Sequence, residues 1–248
     1  GDFLAVDART GELLWKMHAD PHPAAVITQS PIVFGDRVFV GVASYEESYA
    51  ADPSYPCCTF RGNVLALDAR TGAVLWRTYV MPEGYSGGGV WGSTLTLDLK
   101  RGSLYVTTGN NSNVPPAVRQ CLLNASDDAA ASACLAPDDY FDATLSLNLH
   151  TGAVHWAHRL QGFDVWTVAC LTNTNPVACP VPSSPDFDLG GSGPNLLPGM
   201  VGFGQKSGVY WALNPSNGSI LWSAVVGPGG VLGGIEWGTA TDGERIYM

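Results

Sequence analysis

The sequence has 248 residues, with 22 acidic against 12 basic side chains and a formal net charge of −10. That balance argues against nucleic acid or an anionic membrane surface as a partner, and no apolar run is long enough to span a bilayer. Thirty glycines and 17 prolines suit a fold of many tight turns.

In chain order, the first element is a hairpin. From Ala5 to Trp15 the chain reads Ala-Val-Asp-Ala-Arg-Thr-Gly-Glu-Leu-Leu-Trp. Apolar residues alternate on either side of an Asp-to-Gly turn, where Asp binds nearby backbone and Gly accepts positive φ. A Trp follows four residues after the Gly, and its large apolar face requires a docking surface. The pattern returns from Ala66 to Trp76, from Ser146 to Trp156 and from Ala212 to Trp222. A second hairpin signal stands between these copies: Ser30–Gly41 turning at Gly35-Asp36, Ser93–Gly109, and Gly238–Met248. Two hairpins per repeat predict four antiparallel strands, the unit of a β-propeller blade. No stretch carries helical periodicity long enough to compete. The fold class expected is therefore all-β, a propeller of about four blades forming a single domain over 1–248. The chain opens and closes inside a blade, and an open arc exposes sheet faces, so further sequence is expected on both sides.

Three long segments interrupt the repeats, at residues 42–60, 111–141 and 161–200. Such lengths are uncommon without a function. Asp127, Asp128, Asp138 and Asp139 read as solvated loop acids, and Asp186 and Asp188 as turn-forming acids or a ligand pair. The six cysteines fall in these segments, with no Cys-x-x-Cys spacing. They point to disulfides and an oxidising, extracellular or periplasmic setting, with Cys121–Cys134 and Cys170–Cys179 the simplest pairs. Cys57 and Cys58 are adjacent and can close a vicinal ring or pair with distant partners. Asn-x-Ser sequons stand at Asn110, Asn124 and Asn217, with Asn124 the best placed for a glycan.

The repeated Ala-x-Asp-x-x-Thr-Gly-x-x-x-Trp resembles the tryptophan-docking motif of the eight-bladed quinoprotein alcohol dehydrogenases, closest to the polyvinyl-alcohol dehydrogenase-like branch. It covers nearly the whole chain, as about half of such a propeller. The resemblance implies pyrroloquinoline quinone (PQQ) and Ca2+ on the propeller axis. By it, Glu47 (or Glu46), after Val40-Gly41, and Asn110, ending Tyr105-Val-Thr-Thr-Gly-Asn110, are calcium ligands. Trp91, within Gly87-Gly-Gly-Val-Trp91-Gly92, lies flat on the quinone. Asp164, two residues before Trp166, takes the alcohol proton and joins the metal ligands; the residue before it is Phe163 where that family has His. Lys206 supplies a cation to the reactive carbonyls, and Thr28 and Trp237 are further cofactor contacts. The family's own vicinal disulfide would precede Gly1, so Cys57-Cys58 does not take that role. Oxygen donors suit Ca2+ rather than Zn2+.

Two functions follow. One is a dehydrogenase oxidising a small or polymeric alcohol and passing electrons to a cytochrome or quinone acceptor; no Cys-x-x-Cys-His haem-attachment motif is present. The other is a non-catalytic propeller that binds an extracellular partner through its stapled loops.

Overall fold

The computed structural model describes residues 1–180, 182–183 and 185–248. Three antiparallel sheets follow one another along the chain, the first of five strands and the next two of four. The first joins Ile32–Phe34, Arg37–Ser44, Asn63–Asp68 and Val74–Tyr79, with the short Ala25–Val26 also paired to Arg37–Ser44. The second joins Thr96–Asp98, Ser103–Thr107, Ala143–Asn148 and Val154–Arg159. The third joins Asn195–Leu197, Met200–Gly204, Val209–Leu213 and Ile220–Val225. Two further hairpins flank them, Asp2–Val6 with Leu13–His18 and Ala240–Thr241 with Ile246–Tyr247. This is the expected all-β propeller arc.

The repeated hairpin forms for the reason its sequence gives. Asp68 Oδ1 accepts from the backbone N–H groups of Arg70 and Thr71 at 3.0 and 2.9 Å, and Gly72 closes the turn at φ 73°. Asp7, Asn148 and Asn214 cap their turns in the same way. Each hairpin carries a register shift at the same place, between Ala66 and Leu67 in the second copy.

Strand alternation sends side chains to two different cores. Phe39, Val64 and Ala66 face the second sheet, against Leu104, Val106, Leu145 and Leu147. Val38, Val40, Leu65 and Leu67 face the other way, onto Trp15 of the preceding hairpin. Both faces are therefore buried, and the core lies between sheets. The indoles seal these interfaces. Trp15 Nε1 donates to Ala69 O at 2.9 Å, Trp76 Nε1 to Leu149 O at 3.3 Å and Trp156 Nε1 to Pro215 O at 3.1 Å. Each indole lies on the turn glycine of the next sheet: a Cβ on Gly72, Gly152 or Gly218 would come within 2.4–2.6 Å of that ring.

The long segments are more ordered than their composition suggests. Residues 111–141, expected as a polar loop, hold helices Pro116–Leu123 and Asp128–Cys134, the second capped by Asp127 Oδ1 accepting from Ala130 N at 2.8 Å. Both are too short to show a helical period, and the Cys121–Cys134 disulfide ties them together. Cys170–Cys179 also pairs as expected, and Cys57–Cys58 closes a vicinal disulfide across a cis peptide bond. Asp139 departs from the solvated reading: it is fully buried, and Oδ2 accepts from Asn111 Nδ2 at 3.0 Å. The strand Arg37–Ser44 runs past the expected loop boundary because Val42 and Ala43 are buried and Ala43 and Ser44 pair with Val26 and Ala25. No helix among the described residues is long and apolar enough to cross a membrane.

Candidate active site

Inner strand ends and the long segments meet around one cavity of about 440 Å³. Its walls include Thr28, Glu47, Trp91, Asn110, Asp186, Asp188 and Lys206. Five of the sequence-derived candidates therefore share one space, though they come from separate sheets and connections.

Glu46 and Glu47 divide sharply. Glu46 is buried, and its carboxylate accepts from Tyr55 Oη at 3.0 Å, Thr59 N at 2.7 Å and Phe60 N at 2.6 Å. It pins the 42–60 segment. Glu47 lines the cavity, and its carboxyl is pushed up to about 7, first by burial and then by the charge of Asp188. Asn110 is buried, and its amide nitrogen donates to Asn111 O at 3.0 Å and Trp166 O at 2.9 Å. Those bonds fix the amide orientation. Oδ1 then accepts from no described residue, in a side chain that lines the cavity. The same burial bars a glycan at Asn110, whereas Asn124 and Asn217 are exposed.

Trp91 rests on glycine backbone. A Cβ on Gly190 would lie 2.4 Å from Trp91 Nε1, and one on Gly191 2.6 Å from the indole Cη2, so only glycine admits the ring. Thr28 Oγ1 donates to Trp91 O. Trp237 meets Trp91 edge-on with centroids 5.4 Å apart, but it is 62% exposed and stands outside the cavity wall. Lys206 Nζ lies 5.6 Å from the Trp91 ring centroid.

Lys206 is buried between two acids, with Nζ 3.1 Å from Asp186 Oδ2 and 3.0 Å from Asp188 Oδ2. Burial alone would lower its pKa, but Asp188 and Asp186 outweigh it and hold the ammonium charged. Burial first and then the charge of Asp188 raise the Asp186 carboxyl, while Lys206 pulls it back down. Read from sequence as turn acids or a ligand pair, Asp186 and Asp188 are the ion-pair partners of the site's lysine. The signal for them was Lys206 itself, since a buried ammonium requires anionic partners. Asp188 also accepts from Gly190 N at 3.0 Å, which ties the ion pair to the backbone under Trp91.

Asp164 lies behind this wall. It is fully buried, and Oδ2 accepts from Phe187 N at 2.9 Å and Gln161 Nε2 at 3.1 Å. Its charge reaches Glu47 and Asp186 and raises both. Its neighbour Asp142 is raised well above the ordinary range, by burial and then by Asp164. Among the described residues no three His, Cys, Asp or Glu side chains alone form a metal cluster. An amide oxygen such as that of Asn110 would have to complete one.

The PQQ_2 family model, described as outer membrane protein assembly factor BamB, matches residues 1–248. Two curated polyvinylalcohol dehydrogenases, from a Pseudomonas species and from Sphingopyxis sp. strain 113P3, are each 34% identical. The alignments cover 99% and 98% of this chain but 38% and 37% of those proteins, so the chain spans well under half their length. The quinohemoprotein alcohol dehydrogenase of Comamonas testosteroni superposes with a TM-score of 0.63 at 20% identity, over 92% of this chain and 33% of that one, which supports the fold. A lock of sheet upon sheet through recurring indoles, matched over its whole length, makes this chain a member of the PQQ_2 propeller family, similar within it to the polyvinylalcohol dehydrogenases among the quinoprotein alcohol dehydrogenases.

Proposed function

We propose that this chain forms one side of the PQQ and Ca2+ centre of an alcohol dehydrogenase. One observation carries the reading: Glu47, Asn110, Trp91, Thr28 and Lys206 line a single cavity. The residues fit both groups. Glu47 and Asp186 are raised by burial first and then by the neighbouring carboxylates, and a divalent cation would offset that second effect. Glu47 and Asn110 Oδ1 would hold it. Trp91, seated on glycine backbone, offers a flat apolar face to a planar ring.

The chemistry that PQQ and Ca2+ would supply here is uptake of the two electrons released as an alcohol becomes a carbonyl compound, with the cation polarising the quinone. The chain's own residues do the rest. Lys206, kept charged by Asp186 and Asp188, favours negative charge developing beside Trp91. Thr28 holds the backbone of Trp91. Asp164 is the candidate acceptor of the alcohol proton. Three disulfides fit an oxidising compartment, extracellular or periplasmic. A cytochrome or quinone would take the electrons onward.

One observation favours the non-catalytic alternative: Asp164 stands behind the cavity wall with its carboxylate bonded to Phe187 and Gln161. The test is reconstitution of the full-length protein with PQQ and CaCl2, followed by spectroscopic retention of the quinone after gel filtration and dye-linked oxidation of secondary alcohols. Retention with turnover supports the enzyme. Failure to retain the quinone refutes it and leaves the binding propeller.

A further inference from the structure

A second cavity, of about 380 Å³, shares one wall residue, Phe60, with the first. It forms where the connection after Leu13–His18, the approach to Asn63–Asp68 and the end of Val74–Tyr79 come together. Rings supply its apolar lining: Pro21, Pro23, Phe60 and Tyr79.

Arg61 enters this space as a fixed fork. Its Nε and Nη2 both donate to Met81 O, at 2.9 and 2.6 Å, and its guanidinium carbon lies 4.3 Å from the Tyr79 ring centroid. These contacts set the plane of the group from one edge. The other edge keeps the two Nη1 protons and the outer Nη2 proton, and none of them has an acceptor among the described residues. A planar fork held in this way is pre-organised for a bidentate partner.

The one acid in the wall is already engaged. Asp20 Oδ2 accepts from Asn63 Nδ2 at 3.0 Å and from Arg77 Nη1 at 2.9 Å, and Oδ1 accepts from His22 N at 2.9 Å. Arg77 offsets the charge of Asp20, which leaves that of Arg61 unopposed in the lining. The imidazole beside it frees a further donor. His22 Nδ1 accepts from Ala24 N at 3.2 Å, so the ring proton sits on Nε2. Its nearest acceptor is Thr59 Oγ1 at 3.1 Å, ahead of Glu46 Oε1 at 3.5 Å. Thr59 accepts there, and its own hydroxyl proton remains for something else.

We propose that this cavity binds an organic carboxylate. The carboxylate engages the free edge of Arg61 and the Thr59 hydroxyl, and the apolar body packs against Pro21, Pro23 and Phe60. An inorganic anion gains the charge contact but not the ring contacts, so it binds more weakly. No residue assigned to the quinone or the metal lines this space, so the site stands whether or not the dehydrogenase reading does.

The test uses the full-length protein as purified. Calorimetry compares benzoate with benzamide, its uncharged analogue, and with sulfate. Benzoate should bind at least about tenfold more tightly than either. Arg61→Lys, which keeps the charge and loses the fork, should weaken benzoate about tenfold, and Thr59→Ala about threefold. A further measurement needs no variant: benzoate should slow modification of Arg61 by phenylglyoxal, read by peptide mass spectrometry, but not that of Arg9, whose side chain is 88% exposed. Equal affinity for benzoate and benzamide, unchanged benzoate affinity in Arg61→Lys, or no protection of Arg61 overturns the site. Sulfate displacing benzoate at equal concentration would show that charge alone is recognised, and overturns it as well. Loss of quinone retention in reconstitution would sink the dehydrogenase reading and leave these results untouched.

Discussion

Replacing Gly152 by Ala tests the lock between sheets. Gly152 sits at φ 73°, and a Cβ there would lie 2.6 Å from Trp76 Cε3 and 2.5 Å from Thr78 Oγ1. Two costs add. A left-handed backbone costs a residue with a Cβ about 1–2 kcal/mol. Forcing the ring and the threonine aside costs about 1–3 kcal/mol more, as overpacking of a filled interface does. The control is Gly102→Ala in the same sheet: its φ is 63°, and nothing lies within 4 Å of its Cβ position. That variant incurs the backbone cost alone. Urea denaturation of the full-length protein, followed by tryptophan fluorescence, should place Gly152→Ala about 1–3 kcal/mol below Gly102→Ala, and adding Trp76→Phe should recover part of the difference. Equal midpoints for the two alanine variants would refute indole docking as the source of cohesion.

The remaining predictions concern the charged interior. Lys206→Met leaves Asp186 and Asp188 buried without a cation and should cost about 3–5 kcal/mol by chemical denaturation, with Asp188→Asn in the same chain restoring part of it. Asp139 is raised to about 7 by burial, so the folded protein holds a proton that the unfolded chain releases above 3.8. Its contribution is therefore present at low pH and lost as pH rises from about 4 to about 7. Asp139→Asn should flatten that slope and raise stability above pH 7, by at most about 4 kcal/mol, as pH-dependent melting would measure. CaCl2 should raise the melting temperature of the full-length protein, Glu47→Gln should abolish most of that rise, and Glu46→Gln should lower the melting temperature without affecting the calcium response.

The repeated hairpins were legible because turn chemistry is local. Asp68 and Gly72 specify the bend from within five residues, and Val64 and Ala66 declare a half-buried strand, though the structure buries Leu65 and Leu67 on its other face as well. The identity of those faces was not legible, since Val38 and Phe39 part ways only because sheets stand on either side. At the site, Trp91, Asn110 and Lys206 were proposed from short motifs carried by the resemblance, and all three line the cavity. For Asp186 and Asp188 the bend outweighed the ligand pair in the sequence, because their ion pair is made with an ammonium nearly twenty residues away. Asp139 was misread for a similar reason: its partner Asn111 lies on the far side of two helices too short to announce themselves. The choice between Glu46 and Glu47 needed coordinates, since adjacent residues on one turn point to opposite sides.

The indole contacts also bear on how such a chain can change over time. Because each tryptophan rests on a glycine belonging to a different sheet, no repeat owns the whole of its own fastening. Duplicating or deleting one repeat leaves both new neighbours correctly matched, ring to bend, so the number of sheets can vary while each junction stays chemically identical. Novelty is then free to accumulate in the connecting segments, which is where Glu47, Asp186 and Asp188 reside.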